Sequence, residues 1–298
     1  MPVAVPLANA AAAIACALGL SGAWLPRSLA SSDALAPRVR VFQFVDRSRT
    51  IRLPSGKRVP RSLETFVSYP AAGGAYPLIV FAHGYALTPA RYAQLLRAWT
   101  QDGYVVAAPV FPLENPSAPG GPNQSDLVNE PRDMSFVIDR LLALDARTNG
   151  VLRGRIDPSR IAVAGHSDGA EAALAVAYDR RFRDRHVRAA ILLSGAALPG
   201  MGPFPRRGPP LLAAQGTADT LNAPATTAAY FQLARRPKFL LWLLGASHLP
   251  PYTDQQPQLG IVERATTAFF DHYLKGRPLR ALDQAANRPG LTRFIAEP

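Results

Sequence analysis

Two six-residue segments of this chain, Pro77–Ala82 and Phe239–Leu244, are apolar at every position. A strand with no polar face has to be covered on both sides, as in a parallel sheet with helices above and below it. The rest of the chain supplies such helices. Pro89 opens one that runs to about Gln101, with proline in the first turn where its missing N–H is harmless. Glu130–Ala146 places Phe136, Val137, Leu141 and Leu144 on a repeating face. Asp168–Tyr178, Pro224–Ala234 and Ile261–Leu274 read as further helices. Between them Tyr104–Pro109, Arg160–Ala164, Ala189–Leu193 and Pro210–Ala214 read as strands. Val39–Val45 and Leu63–Tyr69, split by the turn-like Pro54-Ser55-Gly56, read as an antiparallel opening pair. Strands alternating with helices predict an α/β domain: a mostly parallel central sheet, helices on both faces and right-handed crossovers. The connector after Leu193 is short, which leaves little or no lid.

The stretch from Ile161 to Ala172 reads as strand, sharp turn, helix, and its centre is Gly165-His166-Ser167-Asp168-Gly169. This is the arrangement that presents a serine hydroxyl on a strained turn, with small residues where the backbone packs closely. The following helix aims its positive end at the same spot. Ser167 is therefore the candidate nucleophile.

A serine hydroxyl needs a base. Of the five histidines, His83 precedes the turn, His166 lies within it, His186 sits in an Arg-rich segment and His272 in the last helix. His248 follows the wholly apolar Phe239–Leu244 strand in the loop Gly245-Ala246-Ser247-His248, where a loop-borne general base is expected. The imidazole in turn needs a carboxylate. Asp168 and Glu171 belong to the turn and its helix, and Asp179 and Asp184 read as surface partners of arginines. Asp219, beyond the Pro210–Ala214 strand, is the candidate, so the chain order is Ser167, Asp219, His248. Two N–H donors should receive the developing oxyanion. One is the amide of Asp168. The other is the amide of Tyr85, in the turn His83-Gly84-Tyr85 after an apolar strand, and the Tyr85 ring is a candidate wall of the acyl site.

Together, Phe81-Ala82-His83-Gly84-Tyr85, the Ser167 pentapeptide, Gly216-Thr217-Ala218-Asp219 and Ser247-His248 resemble the α/β-hydrolase superfamily. More narrowly they resemble its dienelactone-hydrolase-like, chlorophyllase-like and platelet-activating-factor-acetylhydrolase-like serine esterases, as does Pro131–Asp139 before the turn. The resemblance covers roughly residues 39–275. It implies an α/β-hydrolase fold and cleavage of carboxylic esters through an acyl-enzyme, with no cofactor or metal. The chain departs from bacterial cutinases, which usually have Met where Asp168 stands and a Trp that Ser194-Gly195-Ala196-Ala197 lacks. An acyltransferase using the same three residues, or a non-catalytic binding protein on this scaffold, are the alternatives.

The net charge is +12, and only three of the 33 basic residues are lysines. Arginine favours phosphate contact, but here it is scattered in short pairs without a nucleic-acid-binding motif, so no specific nucleic-acid partner is expected. The expected partner is a small-molecule or lipid ester. Leu7–Leu25 is uncharged and Ala-rich, and Ser28-Leu29-Ala30 and Ala34-Leu35-Ala36 have the small residues of a cleavage site. Residues 1–36 are therefore expected to be a signal peptide or N-terminal membrane anchor with its linker, and 37–298 the catalytic domain. Secretion or cell-envelope association through that segment follows. The single cysteine, Cys16, lies inside it, so no intramolecular disulfide is available.

Overall fold

The computed structural model describes residues 37–205 and 207–298. The N-terminal segment, with Cys16 and both cleavage sites, lies outside the described residues. Nine strands form one sheet in the order β1-β2-β4-β3-β5-β6-β7-β8-β9. The parallel centre consists of β3 (Tyr76–Ala82), β4 (Val105–Pro109), β5 (Ile156–His166), β6 (Val187–Leu193), β7 (Leu211–Gly216) and β8 (Lys238–Leu243). At one edge β1 (Pro37–Arg52) and β2 (Arg58–Pro70) form an antiparallel hairpin, and β2 runs antiparallel to β4.

Alternate residues of β3 enter different cores, which is what an apolar two-sided strand must do. Leu78, Val80 and Ala82 pack with α2 (Glu130–Asp145), α3 (Asp168–Tyr178) and α4 (Pro224–Leu233). Ile79 and Phe81 pack with α1 (Ala93–Gln101), α5 (Gln258–Lys275) and α6 (Arg280–Ala286). Helices thus cover both faces. The mostly parallel sheet with helices on both faces, expected from the alternation of elements, is the one observed.

The structure adds to the expected elements at the ends. The opening strands are longer than their apolar stretches, because each continues past them as the two arms of one hairpin. The chain also does not end with α5. It continues through α6 into β9 (Thr292–Glu297), antiparallel to β8, with Phe294 stacked on Phe239. Thr292–Glu297 alternates weakly and is mostly exposed, so its pattern alone does not mark a strand. The helix from Pro89 is a 3₁₀ turn over Pro89–Tyr92 before α1 proper.

The candidate active site

All parallel strands point their C-terminal ends the same way, so the loops after β3, β5, β7 and β8 converge on one rim. The structure brings Ser167, His248 and Asp219 together there. Ser167 follows β5 with φ +56°, a left-handed conformation costly for a non-glycine residue. Two close approaches explain the flanking glycines. A Cβ at Gly165 would lie 2.1 Å from the Gly169 carbonyl oxygen, and one at Gly169 would lie 2.3 Å from the Ala82 carbonyl oxygen. The turn can form only where α3, β5 and β3 touch backbone to backbone. The Ser167 amide donates to the Leu193 carbonyl of β6 at 3.0 Å, which ties the turn to the next strand.

His248 Nε2 lies 2.9 Å from Ser167 Oγ, and His248 Nδ1 lies 2.8 Å from Asp219 Oδ2. With Nδ1–H donating to the carboxylate, Nε2 is left to accept the serine proton. Asp219 is almost fully buried and accepts from three further donors. The Leu221 and Asn222 amides reach Oδ1 at 2.9 and 3.0 Å, and Gln215 Nε2 reaches Oδ2 at 2.9 Å. Burial alone would raise its pKa. The hydrogen bonds from His248, Asn222 and Gln215 outweigh it and hold the carboxyl below the usual range. Gln215 is itself oriented by Thr227 Oγ1, which donates to its Oε1 at 2.7 Å.

Tyr85 and Asp168 flank Ser167, the candidate nucleophile. A Cβ at Gly84 would stand 3.1 Å from Ser167 Cβ, so the turn after β3 lies against the serine. The Asp168 amide heads α3, where first-turn N–H groups have no partner within the helix. The Tyr85 amide donates to no acceptor among the described residues. The Tyr85 ring is 40% exposed, and its hydroxyl donates to the Pro122 carbonyl at 3.1 Å. Among the described residues, no arginine pairs with the Asp168 side chain. Its Oδ2 accepts from Gln124 Nε2 at 2.7 Å, and burial raises its pKa despite that bond.

The sequence reading assigned His166 and His83 no task, yet both connect parts of the site. Gly84 N–H donates to Tyr92 Oη at 3.2 Å, and Tyr92 Oη lies 2.8 Å from His166 Nδ1. His166 Nε2 lies 3.0 Å from the His248 carbonyl oxygen. A carbonyl only accepts, so Nε2 carries the proton and Nδ1 accepts from the tyrosine. One chain of bonds thus runs from the turn after β3, through the nucleophile turn, to the loop holding the candidate base. Burial drives the His166 pKa down to about 3, and the nearby His248 adds to the effect, so the ring stays neutral. His83 is also buried, which lowers its pKa to about 4. Its Nε2 accepts from the Phe111 amide at 3.1 Å, and Nδ1 donates to the Gly84 carbonyl at 2.9 Å. A histidine beside a glycine is a weak signal in sequence, because its partners lie on other elements.

Of the remaining candidates, Asp184 pairs with His186, whereas Asp179 is only 2% exposed and receives Arg181 and the helix-end amides. Asp179 is therefore the partner of an arginine, as its neighbours suggest, but a buried one at the end of α3. The structure places neither near Ser167 in any hydrogen bond. His272 Nδ1 lies 2.6 Å from the Arg277 carbonyl oxygen at the end of α5.

The family model described as Chlorophyllase matches residues 43–228, more than half of the chain, and spans both Ser167 and Asp219. The chain is similar to Chlorophyllase-2 of Arabidopsis thaliana, with 26% identity over 164 residues, which are 54% of this chain and 48% of that protein. It thus spans about half the length of that curated relative. With the nine-stranded sheet and its strand–turn–helix at Ser167, these matches identify the chain as a member of the chlorophyllase family, on the α/β-hydrolase fold.

Proposed function

We propose that the protein is a serine esterase that cleaves carboxylic esters through an acyl-enzyme on Ser167. The observation that carries this reading is the unbroken chain Ser167 Oγ, His248 Nε2, His248 Nδ1, Asp219 Oδ2, with links of 2.9 and 2.8 Å. Family membership supports an ester-acting hydrolase in general.

In the first half-reaction Ser167 Oγ bonds to the ester carbonyl carbon and its proton passes to His248 Nε2. The imidazolium is stabilised by Asp219, whose four hydrogen bonds keep it ionised and stationary. The carbonyl oxygen gains the charge, and the amides of Asp168 and Tyr85 receive it. The bond to the alcohol oxygen then breaks, and the alcohol leaves with the proton from Nε2. In the second half a water gives its proton to Nε2 and attacks the acyl carbon. Ser167 recovers its proton and the acid departs.

The test is Ser167→Ala, assayed with a short-chain p-nitrophenyl ester. Turnover should fall by several orders of magnitude, and a fluorophosphonate probe should label the parent protein but not the variant. Undiminished hydrolysis in the variant refutes the reading. The relative's name makes chlorophyll one ester to include in the panel. Export or membrane anchoring through residues 1–36 is carried as a further proposal, and mass spectrometry of the mature N-terminus in cell fractions decides it.

A further inference from the structure

The connector between β4 and α2 is fastened to both sides of the site. Toward the turn after β3, Phe111 N–H donates to His83, Ala86 N–H donates to the Glu114 carbonyl at 2.8 Å, and the Tyr85 hydroxyl donates to the Pro122 carbonyl. Toward the nucleophile turn, Gln124 holds Asp168. Ala86 has φ +55°, so the turn carrying Tyr85 is itself strained and depends on such fastenings.

Behind this connector lie two carboxyl side chains that the mechanism does not use. Glu114 and Glu130, the first residue of α2, are both 0% exposed. No N–H or O–H group of another residue among those described reaches any of their four oxygens. The two carboxyls meet each other within hydrogen-bonding reach. The charged groups facing Glu114 are Asp126, Asp168 and Glu171, and those facing Glu130 are Asp126 and Asp133. All are acidic. Arg61 and Arg49 stand nearby but are taken by Asp126 and Asp133. A buried carboxylate with no donor and no counter-charge is strongly disfavoured. Among the described residues, the one donor that reaches an oxygen of this pair is a proton carried by its partner.

We propose that Glu114 and Glu130 share a proton, and that this hydrogen-bonded carboxyl pair positions the Tyr85 turn by holding the Glu114 main chain against Ala86. When the proton leaves for solvent, two like charges face each other across the pair. Glu114 is pushed away from α2, and the carbonyl that fastens Ala86 moves with it. The Tyr85 amide then leaves the place where the oxyanion forms. Burial pushes the Glu114 carboxyl up to about 8 and Glu130 well above the ordinary range. Because these folded values are raised, the protonated pair stabilises the site at low pH; Glu114 gives up its own proton first, as pH rises through about 8, and the support is lost at higher pH, when the proton that Glu130 then shares with it also leaves. The positioning role rests on the esterase reading. The presence of the shared proton does not.

The test compares the parent protein with Glu130→Gln between pH 6 and 10. A glutamine supplies a permanent N–H donor to Glu114, so the pair no longer depends on a proton. The parent's kcat on a p-nitrophenyl ester should fall by about tenfold between pH 8 and pH 10 with KM unchanged, and Glu130→Gln should lack that fall. Glu171, which burial also pushes up to about 8, titrates in the same range, so Glu171→Gln must keep the alkaline fall. Infrared spectroscopy reads the proton without turnover. A protonated-carboxyl carbonyl band should persist at pH 7 in Glu171→Gln, weaken as the pH is raised towards 10, and be missing when Glu130→Gln is added. If Glu130→Gln does not fold, Glu114→Gln makes the same comparison with donor and acceptor exchanged. Absence of the band in Glu171→Gln refutes the shared proton even if the protein proves not to be an esterase. A band with the same alkaline fall in parent and Glu130→Gln refutes the positioning role.

Discussion

Asp219→Asn tests the candidate site with the smallest change in volume, and the structure indicates how the variant should fail. The native carboxylate divides its work: Oδ1 serves the Leu221 and Asn222 amides, and Oδ2 serves His248 Nδ1 and Gln215 Nε2. Asparagine has one oxygen. If that oxygen takes the Oδ1 place, both backbone amides stay satisfied and the NH₂ group faces His248. The opposite orientation strands two half-buried amides and sets the NH₂ group against them, so the first prevails. His248 then resolves the donor-to-donor clash by moving its proton to Nε2, and Nδ1 accepts from the asparagine. A protonated Nε2 cannot take the proton of Ser167. The expected loss is about 10⁴ in kcat, or about 5 kcal/mol of transition-state stabilisation. Thermal unfolding should stay within a few degrees of the parent, because every backbone bond survives. Stopped-flow release of p-nitrophenol measures the effect directly. A loss below about tenfold in a variant that melts like the parent would refute the assignment of Asp219 as the group orienting His248.

Other substitutions probe the supports of the site. Arg61 is buried and donates through Nε, Nη1 and Nη2 to Asp133 and Asp126, which anchor the connector and the start of α2. Arg61→Met keeps most of the volume but leaves two buried carboxylates without their principal cation, so urea unfolding should show a loss of about 3–5 kcal/mol. A loss under about 1 kcal/mol would mean that water or rearrangement compensates. His166→Phe keeps an aromatic ring but unpairs Tyr92 Oη and the His248 carbonyl. It should lower stability by roughly 1–3 kcal/mol per stranded group and reduce kcat more than KM. An unchanged kcat would remove His166 from the machinery that holds the base.

Much of this arrangement could be read from the chain, and the reason differs from part to part. The strands were legible because β3 and β8 are buried on both faces and therefore apolar throughout. Ser167 was legible because backbone contact at Gly165 and Gly169 restricts the residues that can surround it. Asp219 and His248 follow apolar strands, and their order in the chain singled them out. β9 escaped notice because an edge strand with one solvated face needs little apolar content. Gln215, Tyr92 and His166 escaped because each works through partners distant in sequence: His166 bonds to residues 74 and 82 positions away. Asp179 read as a surface residue because its neighbours are arginines, whereas its depth is set by how the end of α3 packs.

A parallel sheet covered on both faces and a strained serine between a strand and a helix are written in the residue pattern alone. Burial on two faces and backbone crowding act locally, so they leave their mark on short stretches of residues. Three side chains from three loops form one hydrogen-bonded line only through the packing of the folded chain. That packing alone set Glu114 opposite Glu130 and made Asp168 a partner of Gln124 rather than of an arginine. Hydrogen bonds and charge pairs reach only a few ångströms, and which groups fall within that reach is fixed by how the strands and helices pack.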